Sequence, residues 1–167
     1  HLRTRRQRQM CIRDSPQAWA KNIISIGGVL HNNNSDPSDD SWEGTASIGP
    51  APDGRIKPDL VAYYDSIDTL KGASSGYGGF SGTSGATPIV AGHLGLTLEM
   101  WGKGLLGNES RLRGESVFDN RPHAMTAKAL LINGARSYAF KGRDHDLTRT
   151  HQGWGFPSLQ DLSLIHI

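Results

Sequence analysis

The chain of 167 residues contains a single cysteine and no long hydrophobic run. One cysteine cannot form a disulfide within the chain, so a disulfide scaffold is excluded. A membrane-spanning helix needs ~20 mostly apolar residues, whereas glycine or charge interrupts every apolar run here after a few residues. The length fits about one globular domain. We therefore expect one soluble domain without a membrane partner.

The positive charge of the chain is concentrated at one end. Five of the 18 basic residues lie in the first fourteen positions, around Cys11, and such a tail would suggest nucleic-acid binding. However, residues 5–14 can be encoded by a transposase-type sequencing adaptor. Residues 162–167 can be encoded by CTG TCT CTT ATA CAC ATC, the reverse complement of the adaptor end. We therefore expect residues 1–15 and 162–167 to be adaptor-derived and not native.

The remaining residues, 16–161, have no cysteine and a small net negative charge. Nucleic-acid binding thereby loses its only support, and we predict no nucleic-acid partner. If the ends are adaptor-derived, the absence of a targeting signal carries no information about localisation.

Apolar runs and turn residues predict the first elements. The β-branched run at 22–30 predicts a strand buried on both faces, and 55–62 predicts a second strand. Between them, 31–54 is rich in Asn, Asp, Ser, Gly and Pro, which predicts an exposed loop. We expect the glycine- and serine-rich stretch 63–82 to lack regular structure and to let the backbone approach a ligand closely.

Two helices are predicted further along the chain. Apolar residues recur at helical spacing from Ala86 to Trp101, which indicates a helix of about five turns that begins near Ser84. Pro122 is expected to open a second helix that extends from Met125 to Arg136.

Ser84 is the main candidate for chemistry. A serine in the first turn of a buried helix, reached through a glycine-rich loop, is an arrangement that suits acyl transfer. The N–H groups at a helix N-terminus stabilise developing negative charge, and glycines admit a substrate. In most proteins, however, a serine at this place only caps the helix.

The sequence around this serine carries a specific signature. The stretch Gly82-Thr-Ser-Gly-Ala-Thr-Pro-Ile-Val-Ala-Gly92 resembles the Gly-Thr-Ser-x-Ala-x-Pro-x-Val-Ala-Gly motif around the nucleophile of the subtilisin-like serine proteases. Three further stretches, 53–62, 127–133 and 153–155, resemble other segments of the same family. The four stretches occur in the family's order and span most of residues 22–155.

The resemblance implies a fold and an activity. The fold is the α/β, three-layer subtilisin-like architecture with a mostly parallel sheet, present only as its C-terminal portion at 16–161. The activity is that of a serine endopeptidase on polypeptide substrates, in which Ser84 forms an acyl-enzyme and its own backbone N–H contributes to the oxyanion hole. The chemistry requires no cofactor, although structural calcium is common in the family. The parent protein would be secreted or in the cell envelope.

The family's remaining catalytic groups are missing from this stretch. Its aspartate, histidine and oxyanion-hole asparagine belong upstream, and none of their motifs occurs between Pro16 and Ser84. His31, the only upstream histidine of that stretch, is expected to be a loop residue and not a base. A serine without its base is a poor nucleophile. We therefore expect the chain to be inactive alone, prone to aggregate, and dependent on the missing N-terminal half of its own domain as a partner.

Two positions depart from the family pattern. The family usually reads Val-Ala-Pro-Gly after the Lys-Pro-Asp stretch, whereas Val61-Ala62 is followed here by Tyr63-Tyr64. The residue after the nucleophile, often methionine, is Gly85. Neither change removes a catalytic atom, but the first bears on the path of the loop toward the substrate cleft.

Two alternatives to a subtilisin-like protease stay open at this point. The first is a non-catalytic subtilase-like binding module. An unrelated α/β hydrolase with a lipase-like mechanism would need its base downstream of Ser84, at His123, His145 or His151.

Other polar groups have less specific patterns. Ser74 satisfies Gly-x-Ser-x-Gly but lacks the strand-to-helix context of a nucleophile elbow. Asp36, Asp39 and Asp40 could bind a calcium ion, although we expect them to be solvated charges of an exposed loop. Asp144-His145-Asp146 fits a surface turn better than a metal pair, and His93 fits a hydrogen-bonded histidine on the apolar side of its helix.

Overall fold

The computed structural model describes residues 16–42, 45–72, 75–108, 120–139 and 147–164. It shows an α/β arrangement of short strands and two longer helices, which agrees with the α/β class inferred above. The elements in chain order are α1 (Pro16–Trp19), β1 (Ile26–Val29), β2 (Leu60–Tyr63), β3 (Ile67–Leu70), β4 (Tyr77–Phe80), α2 (Thr83–Gly102), α3 (Ala124–Asn133), β5 (Ala135–Arg136), α4 (Arg149–Gln152), β6 (Phe156–Pro157) and α5 (Leu159–Leu164).

Strands β1 and β2 form the centre of the structure. β1 lies within the predicted strand 22–30, whereas β2 begins only at Leu60 and so overlaps just the end of the predicted 55–62. They pair in parallel, with Ile26 opposite Leu60 and Val29 opposite Tyr63. Val29, Leu60 and the residues that follow Leu60 up to Ala62 are fully buried, as expected for strands that are covered on both faces. Within the described residues this sheet has only two strands, so β1 has no second neighbour there.

Helix α2 confirms the predicted five-turn helix and packs against β1 and β2. Ala86 and Val90 are buried against the sheet, whereas Leu96 and Leu98 are exposed. Apolar residues of α2 are thus not confined to the side that packs on the sheet, a distribution typical of helices buried in the middle of a larger domain. In the described part of the chain, one apolar side of α2 is therefore uncovered. No helix of that part is long and apolar enough to cross a membrane.

The prediction that 63–82 lacks regular structure is wrong. β3 and β4 form an antiparallel hairpin in which Ile67 pairs with Phe80 and Leu70 with Tyr77. The strand signal was hidden because β4 has glycine at both of its central positions, Gly78 and Gly79. Without side chains there, no alternation of apolar and polar residues can be seen. The residues that favour strands are Ile67, Thr69, Tyr77 and Phe80.

The C-terminal segments close the outer edge of β2. The N–H of Trp154 donates to Asp59 O at 2.9 Å, and the N–H of Val61 donates to Gly155 O at 3.0 Å. Gly153 and Gly155 have positive φ angles, and a Cβ at either one would lie within 2.2 Å of a backbone oxygen. The Gly-Trp-Gly stretch is therefore required by both conformation and space.

Helix α3 confirms the second predicted helix but ends earlier than expected. Gly134 caps it, and Arg136 lies instead in β5, where its guanidinium pairs with Asp161. Leu162, just beyond the expected native boundary, is buried beside Gly134. The boundaries at residues 15 and 161 stay predictions.

A buried charge network holds the amino ends of β1 and β2. Asp59 accepts hydrogen bonds from the Ser25 N–H at 2.8 Å, from Lys57 Nζ at 2.6 Å and from Lys128 Nζ at 2.7 Å. Burial opposes ionisation of Asp59, but its bonds to the two lysines hold its pKa below the ordinary value. The network joins β1, β2 and α3.

Candidate active site

Ser84 is the second residue of α2, as predicted. The chain leaves the carboxyl end of β2, forms the β3–β4 hairpin and returns through Gly82. The Gly82 N–H donates to the Tyr64 carbonyl at 2.6 Å, and Gly82 has a φ of 104°, which is costly for any residue with a side chain. The turn before Ser84 is thus anchored to the end of β2.

The environment of Ser84 suits an exposed nucleophile. Its side chain is exposed, and no hydrogen bond joins its Oγ to a histidine or a carboxylate in the described residues. Its backbone N–H belongs to the first turn of α2, where N–H groups have no acceptor within the helix. The positive end of the helix dipole lies at the same place. An oxyanion that forms beside Ser84 would meet a free N–H and a favourable field.

Gly85 is buried where α2 meets the hairpin. A Cβ at this position would lie 2.6 Å from Ile67 Cδ1 and 3.1 Å from Phe80 Cδ1. The glycine therefore lets the hairpin pack directly on the first turn of α2. This contact gives a structural reason for the departure from the more usual methionine.

Comparisons with known proteins agree with this arrangement. The model of the Subtilase family matches residues 9–155. The chain belongs to the subtilase family. It is 32% identical over 93 residues to the serine protease AprX of Bacillus subtilis, which covers 48% of this chain and 21% of AprX. The chain thus spans about a fifth of that relative.

Solved structures of proteases share the fold. The CspB protease of Clostridium perfringens is 26% identical, with a TM-score of 0.57 over 87% of this chain and 27% of its own. The prenylagaramide maturation protease PagA is 21% identical, with a TM-score of 0.61 over 92% of this chain and 45% of its own. Each of these structures is more than twice as long as the region that matches this subtilase chain.

His31 lies in the loop after β1, as expected, and pairs with Asp65. Its Nδ1 lies 2.7 Å from Asp65 Oδ1, and its ring stacks on Tyr63 at 4.7 Å. Burial opposes ionisation of Asp65, but the hydrogen bonds from the His31 side chain and N–H hold its pKa below the ordinary value. The structure connects His31 to β2 and shows no contact between His31 and Ser84.

Of the three histidines of the hydrolase alternative, the structure describes His123 and His151, and it shows no hydrogen bond from either one to Ser84. His123 precedes α3, and His151 packs its ring against Trp42 at 4.7 Å with its Nδ1 2.6 Å from Thr148 Oγ1. His145 lies outside the described residues, as do Ser74, Asp144 and Asp146. The lipase-like alternative required an unrelated hydrolase, and membership of the subtilase family overturns it.

His93 and the acidic loop have structural contacts. His93 Nδ1 lies 2.8 Å from the Ile89 carbonyl, and its ring meets Phe156 edge-on. Asp36 accepts from the Ser38 N–H and Asp39 from the Asn34 amide. In the described ranges no three histidine, cysteine, aspartate or glutamate side chains form a group that could hold a metal ion.

Sequence reasoning missed two carboxylates that organise this region. Asp59 and Asp65 lie at the two ends of β2 and connect it with the residues at the two ends of β1. Asp59 could have been suspected from the Lys-Pro-Asp stretch, since a charge just before a buried strand needs partners. Asp65 has no comparable sequence signal.

Proposed function

We propose that this chain is the C-terminal part of the catalytic domain of a subtilisin-like serine endopeptidase. Ser84 is its nucleophile and attacks the carbonyl carbon of a polypeptide substrate to form an acyl-enzyme. The Ser84 N–H contributes to the oxyanion hole. The observation that carries the proposal is an exposed serine in the first turn of α2, at the carboxyl end of a parallel strand pair.

The proposed chemistry needs groups that the described residues do not bring to Ser84. A serine hydroxyl becomes an effective nucleophile when a base accepts its proton. We propose that the aspartate, the histidine and the oxyanion-hole asparagine come from an N-terminal half of the same domain. That half would cover the exposed side of α2 and pair with the free edge of β1. The chain alone is then inactive.

The cellular setting belongs to the same proposal. We expect the parent protein to be secreted or held in the cell envelope, to act on polypeptides and to need no cofactor for the chemistry. Structural calcium is compatible with this proposal, although none of the described residues singles out a site.

A fluorophosphonate probe, which reacts with activated serines, tests the proposed role of Ser84. The probe is applied to this chain, to a chain extended upstream of Pro16 along its source DNA, and to the Ser84→Ala variant of the extended chain. We expect labelling only in the extended chain that retains Ser84. Mass spectrometry of the labelled peptide identifies the modified residue.

Two results would contradict the proposal. Labelling of the unextended chain would mean that a base is already present in it, and loss of that labelling in His151→Ala or His31→Ala would identify the base. An extended subtilase domain that binds peptide but resists the probe would establish the alternative, a non-catalytic binding module.

A further inference from the structure

We propose that Tyr64 is a positioning residue for residues 82–84, named here the nucleophile turn, and that Gly28 is its required partner. Tyr64 stands where the family usually has the glycine of its Pro-Gly pair, so the family's pattern does not explain it. The role for Ser84 rests on the proposed function, whereas the contacts themselves do not. The argument combines three contacts of Tyr64, through its backbone, its ring and its hydroxyl group.

The backbone of Tyr64 connects β1 with the nucleophile turn. Its N–H donates to the Val29 carbonyl at 3.2 Å, which continues the β1–β2 pairing by one residue. Its carbonyl accepts the Gly82 N–H at 2.6 Å, two residues before Ser84. The position of the first turn of α2 relative to the sheet therefore depends on where the Tyr64 carbonyl points.

The ring of Tyr64 lies directly over Gly28 on β1. A Cβ at Gly28 would lie 2.7 Å from Tyr64 Cγ, 2.8 Å from Cδ1 and 3.0 Å from Tyr64 Cβ. Two of these distances are shorter than non-bonded carbon atoms tolerate, and Cγ cannot move away without a rotation of the side chain or a shift of the backbone. Gly28 therefore makes room for the ring, and Tyr64 is 6% exposed as a result.

The hydroxyl group of Tyr64 fixes the far end of the ring. It lies 2.6 Å from Thr45 Oγ1, and the neighbouring Trp42 indole donates to the Ala46 carbonyl at 3.0 Å. Tyr64 is thus held at the strand, at the ring and at the hydroxyl group. The hydroxyl group of a buried tyrosine usually finds a hydrogen-bond partner, and here that partner holds the ring over Gly28. The fixed ring and the strand pairing together set the direction of the Tyr64 carbonyl that binds Gly82.

Amide hydrogen exchange followed by mass spectrometry tests this role without requiring activity. It is measured at low micromolar concentration on the peptide that contains Gly82 and Ser84 and on a reference peptide from α3. We expect Gly28→Ala to speed exchange in the nucleophile peptide by about five- to tenfold, the effect of weakening one hydrogen bond. The ratio to the α3 peptide separates a local effect from general unfolding.

Matched variants sharpen the test. Gly79→Ala is the control for Gly28→Ala, because a Cβ at Gly79 would meet nothing within 4 Å. Tyr64→Phe keeps the ring and loses the bond to Thr45, so it folds even if Gly28→Ala does not. We expect Tyr64→Phe to speed exchange in the nucleophile peptide less than Gly28→Ala does. We expect Tyr63→Phe to leave exchange in that peptide unchanged.

The variants Tyr64→Gly and Gly28→Ala/Tyr64→Gly test whether Gly28→Ala acts through the Tyr64 ring. We expect Tyr64→Gly to speed exchange in the nucleophile peptide and Gly28→Ala to add no further increase once the ring is absent, which a purely additive loss of stability does not predict. The proposal is overturned if Gly28→Ala behaves like Gly79→Ala, or if Tyr64→Phe and the double variant speed both peptides equally. The fluorophosphonate experiment can fail independently of these results, since it reads only the reactivity of Ser84.

Discussion

The two ends of the β1–β2 pair differ in how complete they are. At the amino end, Asp59 is buried and receives hydrogen bonds from Ser25, Lys57 and Lys128. At the carboxyl end, Ser84 is exposed, and in the described part of the chain no base reaches its Oγ. The amino end joins elements that are all present in this chain, whereas the chemistry proposed at the carboxyl end requires groups from elsewhere.

This difference separates the residues that hold the fold from the residue that we propose performs the reaction. A buried carboxylate is tolerated only when hydrogen bonds and opposite charges replace its water, and the partners of Asp59 all lie within the described part of this chain. A nucleophile has no such requirement before the substrate arrives. The contacts that hold this part of the fold are therefore separate from the groups that the proposed chemistry needs.

Removal of the buried carboxylate at the amino end is expected to have the largest effect. Asp59→Ala leaves the Lys57 ammonium, which is 1% exposed, without its counter-ion. Breaking a buried pair in this way costs about 3–5 kcal/mol. We expect the urea midpoint of the variant, measured by pulse proteolysis at low protein concentration, to fall close to zero. Little of the variant would then be folded even without urea.

The control for this substitution is an exposed carboxylate of the same type. Asp53→Ala removes the pair with Arg55, which lies at the surface, and exposed pairs contribute little to stability. We expect its urea midpoint to match that of the unchanged chain. Equal losses in both variants would mean that the buried network at the amino end contributes no more to stability than an exposed ion pair.

The sequence predicted part of this contrast and missed the rest for identifiable reasons. Apolar runs located β1, β2 and α2, and a local motif placed Ser84 at the start of its helix, because these depend on nearby residues. The β3–β4 hairpin was missed because Gly78 and Gly79 weaken the two-residue period. The pairing of Tyr64 with Gly28 joins positions that are far apart in sequence, and no local pattern reveals it.

The uncovered side of α2 offers a second way to test the comparison. Leu96 is 50% exposed and Leu98 is 39% exposed, and apolar surface of this kind drives association. We expect the unchanged chain to self-associate and Leu96→Lys to increase the monomer fraction in size-exclusion chromatography with light scattering. Thr126→Lys, on α3, is the control for added charge. A monomeric chain with a sharp, cooperative thermal transition would contradict the expected instability.

The smallest expected effect is the loss of stability at low pH when Asp65, at the carboxyl end of the strand pair, becomes protonated. Because His31 holds the pKa of Asp65 below its ordinary value of 3.8, the ionised carboxylate stabilises the fold. This contribution is fully present above pH 3.8 and is lost as the pH falls through the lower pKa of the folded state. Asp65→Asn removes it.

We therefore expect the difference in urea midpoint between the unchanged chain and Asp65→Asn to shrink as the pH falls below 3.8. Asp59 titrates in the same direction, but it is present in both chains, so the difference isolates Asp65. A difference that grows on acidification would mean that the His31–Asp65 pair does not stabilise the folded state. The carboxyl end would then lack an ionic anchor of its own, and the Tyr64 contacts would have to hold the nucleophile turn alone.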